Sequence, residues 1–108
     1  MALEHKRLIK TQLPIAAASL GAPAAGYEWH IKQIILFDNG AGNEATLFIT
    51  GSGDDDKIFQ KTLTTDTVEV INYDYPLILS ATEGLYGVAD LGAAEVNIMV
   101  FGAERATA

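Results

Sequence analysis

Hydrophobic and polar residues alternate along this chain in short runs, and residues that favour turns separate the runs. Alternation with a period of two predicts strands, and a spacing of about 8–12 residues is typical of a sandwich or barrel. The predicted strands are Tyr27–Phe37, Ala45–Thr50, Lys57–Leu63, Thr67–Tyr73, Leu77–Ala81, Leu85–Ala89 and Glu95–Phe101. The pattern therefore predicts an all-β fold, a single antiparallel β-sandwich that is jelly-roll-like and has seven to eight short strands.

The longest predicted strand has an irregular alternation. Trp29 and Ile31 share one parity, whereas Ile34 and Leu36 lie on the other. One extra residue near Lys32–Gln33, a β-bulge, would bring all four onto a single buried face. Burial of the strand on both faces is the alternative. After this strand, the sequence Asp38-Asn39-Gly40 predicts a tight hairpin turn.

The N-terminal quarter lacks a clear period. Residues 6–13 are compatible with an extended arm, and the apolar segment after it is interrupted by Pro14, Gly21 and Pro23. We therefore predict an extended N-terminal arm and connector over residues 1–25, and the β-sandwich domain over residues 26–105.

Two predicted strands carry apolar residues on both faces. If one face of each strand lines the sandwich core, the other needs a cover, because large exposed apolar patches usually mark contacts. A neighbouring copy of the chain would supply that cover. The predicted subunit interface consists of Ile35, Phe37, Met99 and Phe101.

The charge distribution limits the partners. The chain of 108 residues has 14 acidic and 7 basic residues and a net charge of −7, so it would mostly repel a phosphate backbone, and it has no basic stripe for anionic lipid. Lys6, Arg7 and Lys10 stand against Glu4 in the first ten residues, which gives +2 there and −9 in the rest. A basic tip on an acidic body fits an acidic partner, and an exposed solvated terminus is the alternative.

Residues that could carry chemistry are sparse. The chain has no cysteine, and its histidines are His5 and His30, neither in a triad-like order. The consecutive acids of residues 54–56 lack the alternate spacing of a calcium loop, so a solvated turn is favoured. No catalytic residue, cofactor or metal site is predicted. Tyr73, Asp74 and Tyr75 are the best candidates for a small carbohydrate-binding site, against the alternative of a strand end before proline.

The order of motifs resembles small virion structural proteins of tailed bacteriophages. The residues that carry the resemblance are Pro23-Ala24-Ala25-Gly26, Trp29-His30-Ile31-Lys32-Gln33-Ile34-Ile35-Leu36, Asn39-Gly40, Thr46-Leu47-Phe48-Ile49 and Val96-Asn97-Ile98-Met99-Val100-Phe101-Gly102-Ala103-Glu104. The resemblance covers most of residues 13–104, and its elements are patterns without a catalytic signature. One departure is Ser80-Ala81-Thr82-Glu83-Gly84, where the family usually has an acidic-Gly-Asp turn.

The resemblance implies a β-sandwich subunit without enzymatic activity, located in the virion after assembly in the cytoplasm of a host bacterium. We expect a capsid decoration (cement) protein, a homotrimer that binds the major capsid protein. A neck, tail or fibre-base protein and a carbohydrate-binding sandwich are the alternatives. The arm is expected to contact the capsid as an added strand, through Lys6, Arg7, Leu8, Ile9, Lys10 and Leu13.

Overall fold

Eight β-strands make up most of the computed structural model, which describes residues 6–40, 42–91 and 95–107. The strands are β1 (Lys6–Gln12), β2 (Ala18–Gly21), β3 (Tyr27–Asp38), β4 (Glu44–Ile49), β5 (Lys57–Thr62), β6 (Val68–Leu79), β7 (Leu85–Ala89) and β8 (Val96–Ala106). A single turn of 3-10 helix, Asp54–Asp56, precedes β5. No helix in these ranges has the length and apolar character needed to cross a membrane.

The strands form two antiparallel sheets of four. One sheet, called sheet A here, has the order β1-β8-β3-β6, and the other, sheet B, has the order β2-β7-β4-β5. Most consecutive strands alternate between the sheets, as they do in a jelly roll. The predicted fold class, an antiparallel jelly-roll-like β-sandwich, is confirmed.

The core lies between the two sheets. Its fully buried side chains are large and aliphatic: Leu13, Ile31, Ile34, Leu36, Leu47, Leu79, Leu85, Val96, Ile98 and Val100. Gly87 makes room for one of them, because a Cβ at this position would lie 2.8 Å from a methyl carbon of Leu13. The residue after β1 is therefore packed between the sheets.

A bulge in β3 produces the irregular alternation seen in the sequence. Ile31 lies opposite Gly102 of β8 and Gln33 lies opposite Phe101, so Lys32 is an extra residue in β3. The predicted bulge is confirmed, and it keeps Ile31 and Ile34 on the core face although their parities differ. Gly102 is required here, since a Cβ would collide with the carbonyl oxygen of His30.

The predicted arm and connector are corrected by the structure. Residues 6–12 form β1, which pairs with β8 along its whole length, and residues 18–21 form β2, which pairs with β7. Over the described residues, the division at residue 25 therefore does not separate an arm from a body. Both strands belong to the sandwich because Ile9 and Leu13 are buried in its core.

Two predicted strand boundaries are also corrected. The strands predicted at residues 67–73 and 77–81 are one strand, β6, in which Tyr73–Pro76 form a wide bulge opposite the bulge of β3. The last strand continues to Ala106, because the first half of β3 pairs with residues 102–106.

The turn after β3 differs from a tight Asn-Gly hairpin. It spans residues 39–43, and among its described residues the positive φ angle, 78°, is at Gly42 rather than Gly40. The buried carboxylate of Asp38 accepts hydrogen bonds from the backbone N–H groups of Gly40 (2.8 Å) and Asn43 (2.6 Å). The side chain that ends β3 therefore organises the turn.

Candidate assembly surface

The outer face of sheet A, which points away from the core, is the main candidate functional surface. Its three central cross-strand rows are Lys10, Met99, Ile35 and Val70; Gln12, Asn97, Phe37 and Val68; and Arg7, Phe101, Gln33 and Asn72. The four residues predicted as a subunit interface lie together on this face, and each is half-buried in the single chain. The structure thus brings the four side chains together on one face of the sheet.

Strand β6 extends this apolar surface beyond the predicted residues. Val68 is 52% exposed and Val70 is 42% exposed, next to Phe37 and Ile35 of β3. We define the apolar outer face as Ile35, Phe37, Val68, Val70, Met99 and Phe101. The alternation Val68-Glu69-Val70-Ile71 was a signal that could have revealed the two valines, because it puts them on the parity opposite Ile71.

The outer face of sheet B has a different character. Phe48 lies opposite Tyr86 and on the parity opposite the core residue Leu47, yet it is only 5% exposed. Thr46, on the same face, is 4% exposed. Since a single chain is present, segments of the same chain cover these two residues.

An open groove of about 550 Å³ lies at one end of sheet A's outer face. It is lined by Lys10, Thr11, Gln12, Phe37, Asn97, Ile98 and Met99. The groove joins the apolar outer face to strand β1, so the two surfaces form one continuous area.

The fold exposes some of the residues predicted to contact a capsid and buries others. The basic residues Lys6, Arg7 and Lys10 are exposed on β1, at the edge of sheet A. Ile9 and Leu13 are 7% and 0% exposed and pack in the core. Their burial corrects the prediction that these two residues contact a partner. Leu8 is half-buried and packs against the same core.

The opposite edge of sheet A is acidic. Strand β6 contains Glu69 and Asp74 and no basic residue, whereas β1 contains three basic residues and no acidic one. Glu69 pairs with Lys61 of β5 at 2.7 Å, and Lys6 pairs with Glu104 at 3.4 Å. The two edges therefore differ in charge even though some of their charged groups are paired within the chain.

A buried polar cluster fixes the loops at the groove end of the sandwich. The amide nitrogen of Asn43 donates to the carboxylates of Asp38 (3.2 Å) and Glu95 (2.9 Å), and its amide oxygen accepts from the backbone of Leu91 (2.8 Å). Asp38 and Asn43 are completely buried, so each hydrogen bond avoids a large desolvation cost. This cluster ties the turn after β3 to Leu91 and Glu95 of the connection between β7 and β8.

Metal chemistry has no support from the residues described. Within residues 6–40, 42–91 and 95–107, no group of three His, Asp or Glu side chains could hold a metal ion. The acids of residues 54–56 form a turn in which Asp56 accepts a hydrogen bond from Gly53 N–H (3.1 Å) and Asp54 pairs with Lys57 (3.2 Å).

The other candidate groups also have local partners. His30 Nε2 lies 2.9 Å from the carboxylate of Glu28, two residues away on the same strand. His5 lies outside the described residues. Of the proposed sugar-binding tyrosines, Tyr73 packs against the core and burial raises the pKa of its hydroxyl, whereas Tyr75 is 89% exposed. The two rings therefore do not share one environment, as a stacking platform would require.

Glu83 holds the turn of residues 80–84, where the sequence departs from the motif order that it otherwise resembles. Its carboxylate accepts hydrogen bonds from Ser80 N–H (3.0 Å) and from the hydroxyl of Thr50 (3.2 Å). The backbone hydrogen bond from Ser80 is the main reason that the pKa of Glu83 is lowered. This residue links the end of sheet A's β6 to the end of sheet B's β4.

Comparison with known proteins shows a likeness of fold. No protein-family model matches the chain, and no curated protein matches its sequence. A solved structure from Bacillus endospore appendages, described as a novel family of disulfide-linked pili, aligns with a TM-score of 0.50 and 11% identity over 98% of this chain and 89% of that chain.

Two viral structures align less closely. A pentameric capsid protein from metagenomic phage sequences has a TM-score of 0.41 and 16% identity over 91% of this chain and 60% of that chain. The structure of infectious bursal disease virus, Gt strain, has a TM-score of 0.36 and 11% identity over 94% of this chain and 32% of that chain. At these identities the comparisons concern the fold.

Proposed function

We propose that this chain is a non-enzymatic structural subunit that assembles with copies of itself by covering the apolar outer face of sheet A. The observation that carries the proposal is the continuous apolar surface across β8, β3 and β6, two of whose valines are about half exposed. Such a surface is typical of a contact site on a small protein.

The energetics favour a collective contact. Covering the exposed half of one valine or phenylalanine contributes about 1 kcal/mol, whereas association costs at least about 4 kcal/mol. One or two side chains would be insufficient, so the six side chains on each copy must act together to reach even the lower end of this cost. The apolar outer face is therefore expected to act as a unit.

The more specific proposal is a capsid decoration protein of a tailed bacteriophage, located in the virion and bound to the major capsid protein as a homotrimer. Its support is the resemblance of the sequence motifs, together with a jelly-roll fold, which is common among viral capsid domains. The basic residues Lys6, Arg7 and Lys10 stay candidates for a contact with an acidic partner, now from a strand within the sandwich.

The likeness to a pilus subunit suggests a different kind of assembly. That protein is described as part of disulfide-linked pili, whereas this chain has no cysteine. Copies of this chain would therefore associate without disulfide links. A neck, tail or fibre-base position in a phage remains compatible with the same surface.

The copy number per particle tests the virion proposal. Purified particles of a phage whose genome encodes this chain would be analysed by quantitative mass spectrometry against the major capsid protein, with immunogold labelling to locate the chain. Many copies distributed over the head are expected for a decoration protein. A few copies at the neck or tail would contradict decoration, and absence from particles would contradict the virion role.

A further inference from the structure

We propose that copies of this chain join head to tail along the edges of sheet A, with β1 of one copy adding to β6 of the next, and that this joining builds the homotrimer. The inference rests on the proposed self-assembly and names the contact between subunits. It combines open strand edges, strand direction and charge.

The edges of sheet A are open in the single chain. In the order β1-β8-β3-β6, β1 and β6 are the outermost strands, and within the described ranges no strand pairs with their outer sides. An unpaired edge presents a row of backbone donors and acceptors to an added strand. Addition of a strand there supplies main-chain hydrogen bonds without any change in the fold.

Strand direction makes the joint antiparallel. Every neighbouring pair in sheet A is antiparallel, so β1 and β6, at the two ends of a four-stranded sheet, run in opposite directions. A second copy related by a rotation about an axis roughly along the strands therefore offers its β1 antiparallel to β6 of the first. The joint has the same type of ladder as the rest of the sheet.

The charges of the two edge strands favour the β1–β6 contact over a β1–β1 or a β6–β6 contact. Pairing β1 with β1 would bring together two strands that each carry Lys6, Arg7 and Lys10, and pairing β6 with β6 would bring together Glu69 and Asp74 of two copies. Only the β1–β6 joint puts basic and acidic strands side by side. Such complementarity favours one register and orientation over like-charged ones.

Closure of the ring would also cover the apolar outer face. A head-to-tail contact repeated by rotation closes into a ring, and with the outer faces of sheet A turned toward the axis, three copies enclose them. The rows that contain Val70, Ile35 and Met99 would then face the corresponding rows of the neighbours. One type of joint would account for both the open edges and the unpartnered apolar surface.

Engineered cysteines test the joint, because the natural chain has none. Lys10→Cys on β1 would be combined in turn with Val68→Cys, Val70→Cys or Asn72→Cys on β6, all on the outer face, so that the three variants scan the register. Within one molecule these strands are three spacings apart, about 14 Å, and a disulfide needs Cα atoms about 6 Å apart. Any disulfide between them must join two molecules.

We expect at least one double variant to form, on mild oxidation, dimers and trimers on a non-reducing denaturing gel, with the trimer as the largest product. The single variants should stay monomeric on the same gel. Ser19→Cys with Thr62→Cys, on the exposed edges of sheet B, is the matched control and should not cross-link.

Three results would overturn the proposed closed ring. A single variant that dimerises would indicate a symmetric contact, a ladder without an end would exclude the closed trimer, and absence of cross-links in all three double variants would exclude the edge pairing. The mass of the reduced proteins in solution separates the two proposals: an oligomer that does not cross-link contradicts the joint alone, whereas a monomer contradicts self-assembly as well.

Discussion

The two outer faces of this sandwich differ in how much of their apolar side chains is exposed. On sheet B, Phe48 points away from the core and is covered by its own chain, with 5% of its surface exposed. On sheet A, Val68 and Val70 are 52% and 42% exposed. Among the described residues, every large exposed apolar residue that lies in a strand belongs to sheet A, namely Tyr27, Val68, Val70, Tyr75 and Ile78.

This difference predicts different roles for the two outer faces. Burial of Phe48 contributes to the stability of the single chain, whereas in our proposal a second molecule buries the apolar outer face. A side chain on sheet B should therefore affect the free energy of unfolding, and a side chain on the outer face of sheet A should affect association.

The largest expected effect comes from a pair of phenylalanine truncations. Phe48→Ala should lower the free energy of unfolding by about 3–5 kcal/mol, the usual loss for a buried phenylalanine. Phe37→Ala, on the half-buried outer face of sheet A, should cost the monomer less than half as much. Urea unfolding followed by the fluorescence of Trp29 at a concentration where the chain is monomeric would measure both. Equal losses would remove the contrast between the faces.

Strand β1 offers a second contrast, between its core side and its exposed side. Leu13→Ala should lower the free energy of unfolding by about 2–5 kcal/mol, because it opens a cavity over Gly87. Lys10→Ala, on the exposed side, should change it by less than about 0.5 kcal/mol. The same urea titration measures both. A negligible loss for Leu13→Ala would mean that the chain folds without β1, as an arm would.

The smallest effect is a pH dependence at the turn that links the sheets. The pKa of Glu83 is lower in the folded chain than its ordinary value of 4.5, so its ionised form stabilises the fold above that pH and this stabilisation is lost as the pH falls through the folded pKa. Glu83→Gln should cost about 1 kcal/mol or less at pH 7.

The difference between Glu83→Gln and the parent should shrink as the pH falls below about 4.5, where the unfolded chain begins to protonate this carboxyl group, and on through the lower pKa of the folded chain. Thermal unfolding at several pH values measures it. A constant difference from pH 7 to pH 3 would contradict the role of the ionised carboxylate. Because Glu83 contacts neither outer face, its substitution should leave association unchanged.

The sequence was sufficient to predict the features that depend on strand parity. The change in the parity of the apolar residues at Gln33 predicted the bulge of β3. The apolar residues on both parities of β3 and β8 predicted which side chains share an outer face. Each of these follows from the two-residue period of a strand.

Features that depend on distant contacts could not be predicted in the same way. In β1, the register shifts between Arg7 and Ile9, which disturbs the alternation that would have marked it as a strand of the sandwich. The short strand β2 is hidden between Pro14 and Pro23. Phe48 lies on the parity opposite the core residue Leu47, so strand alternation alone does not predict its burial.

The mass of the chain in solution tests the central claim most directly. Analytical ultracentrifugation would compare the parent with Val70→Lys on the outer face of sheet A and with Val88→Lys, its match on the outer face of sheet B, after circular dichroism has shown both variants to be folded. We expect an oligomer, a trimer in our proposal, for the parent and for Val88→Lys, and a monomer for Val70→Lys. A monomeric parent, or a Val70→Lys variant that keeps the parent's mass, would contradict the account.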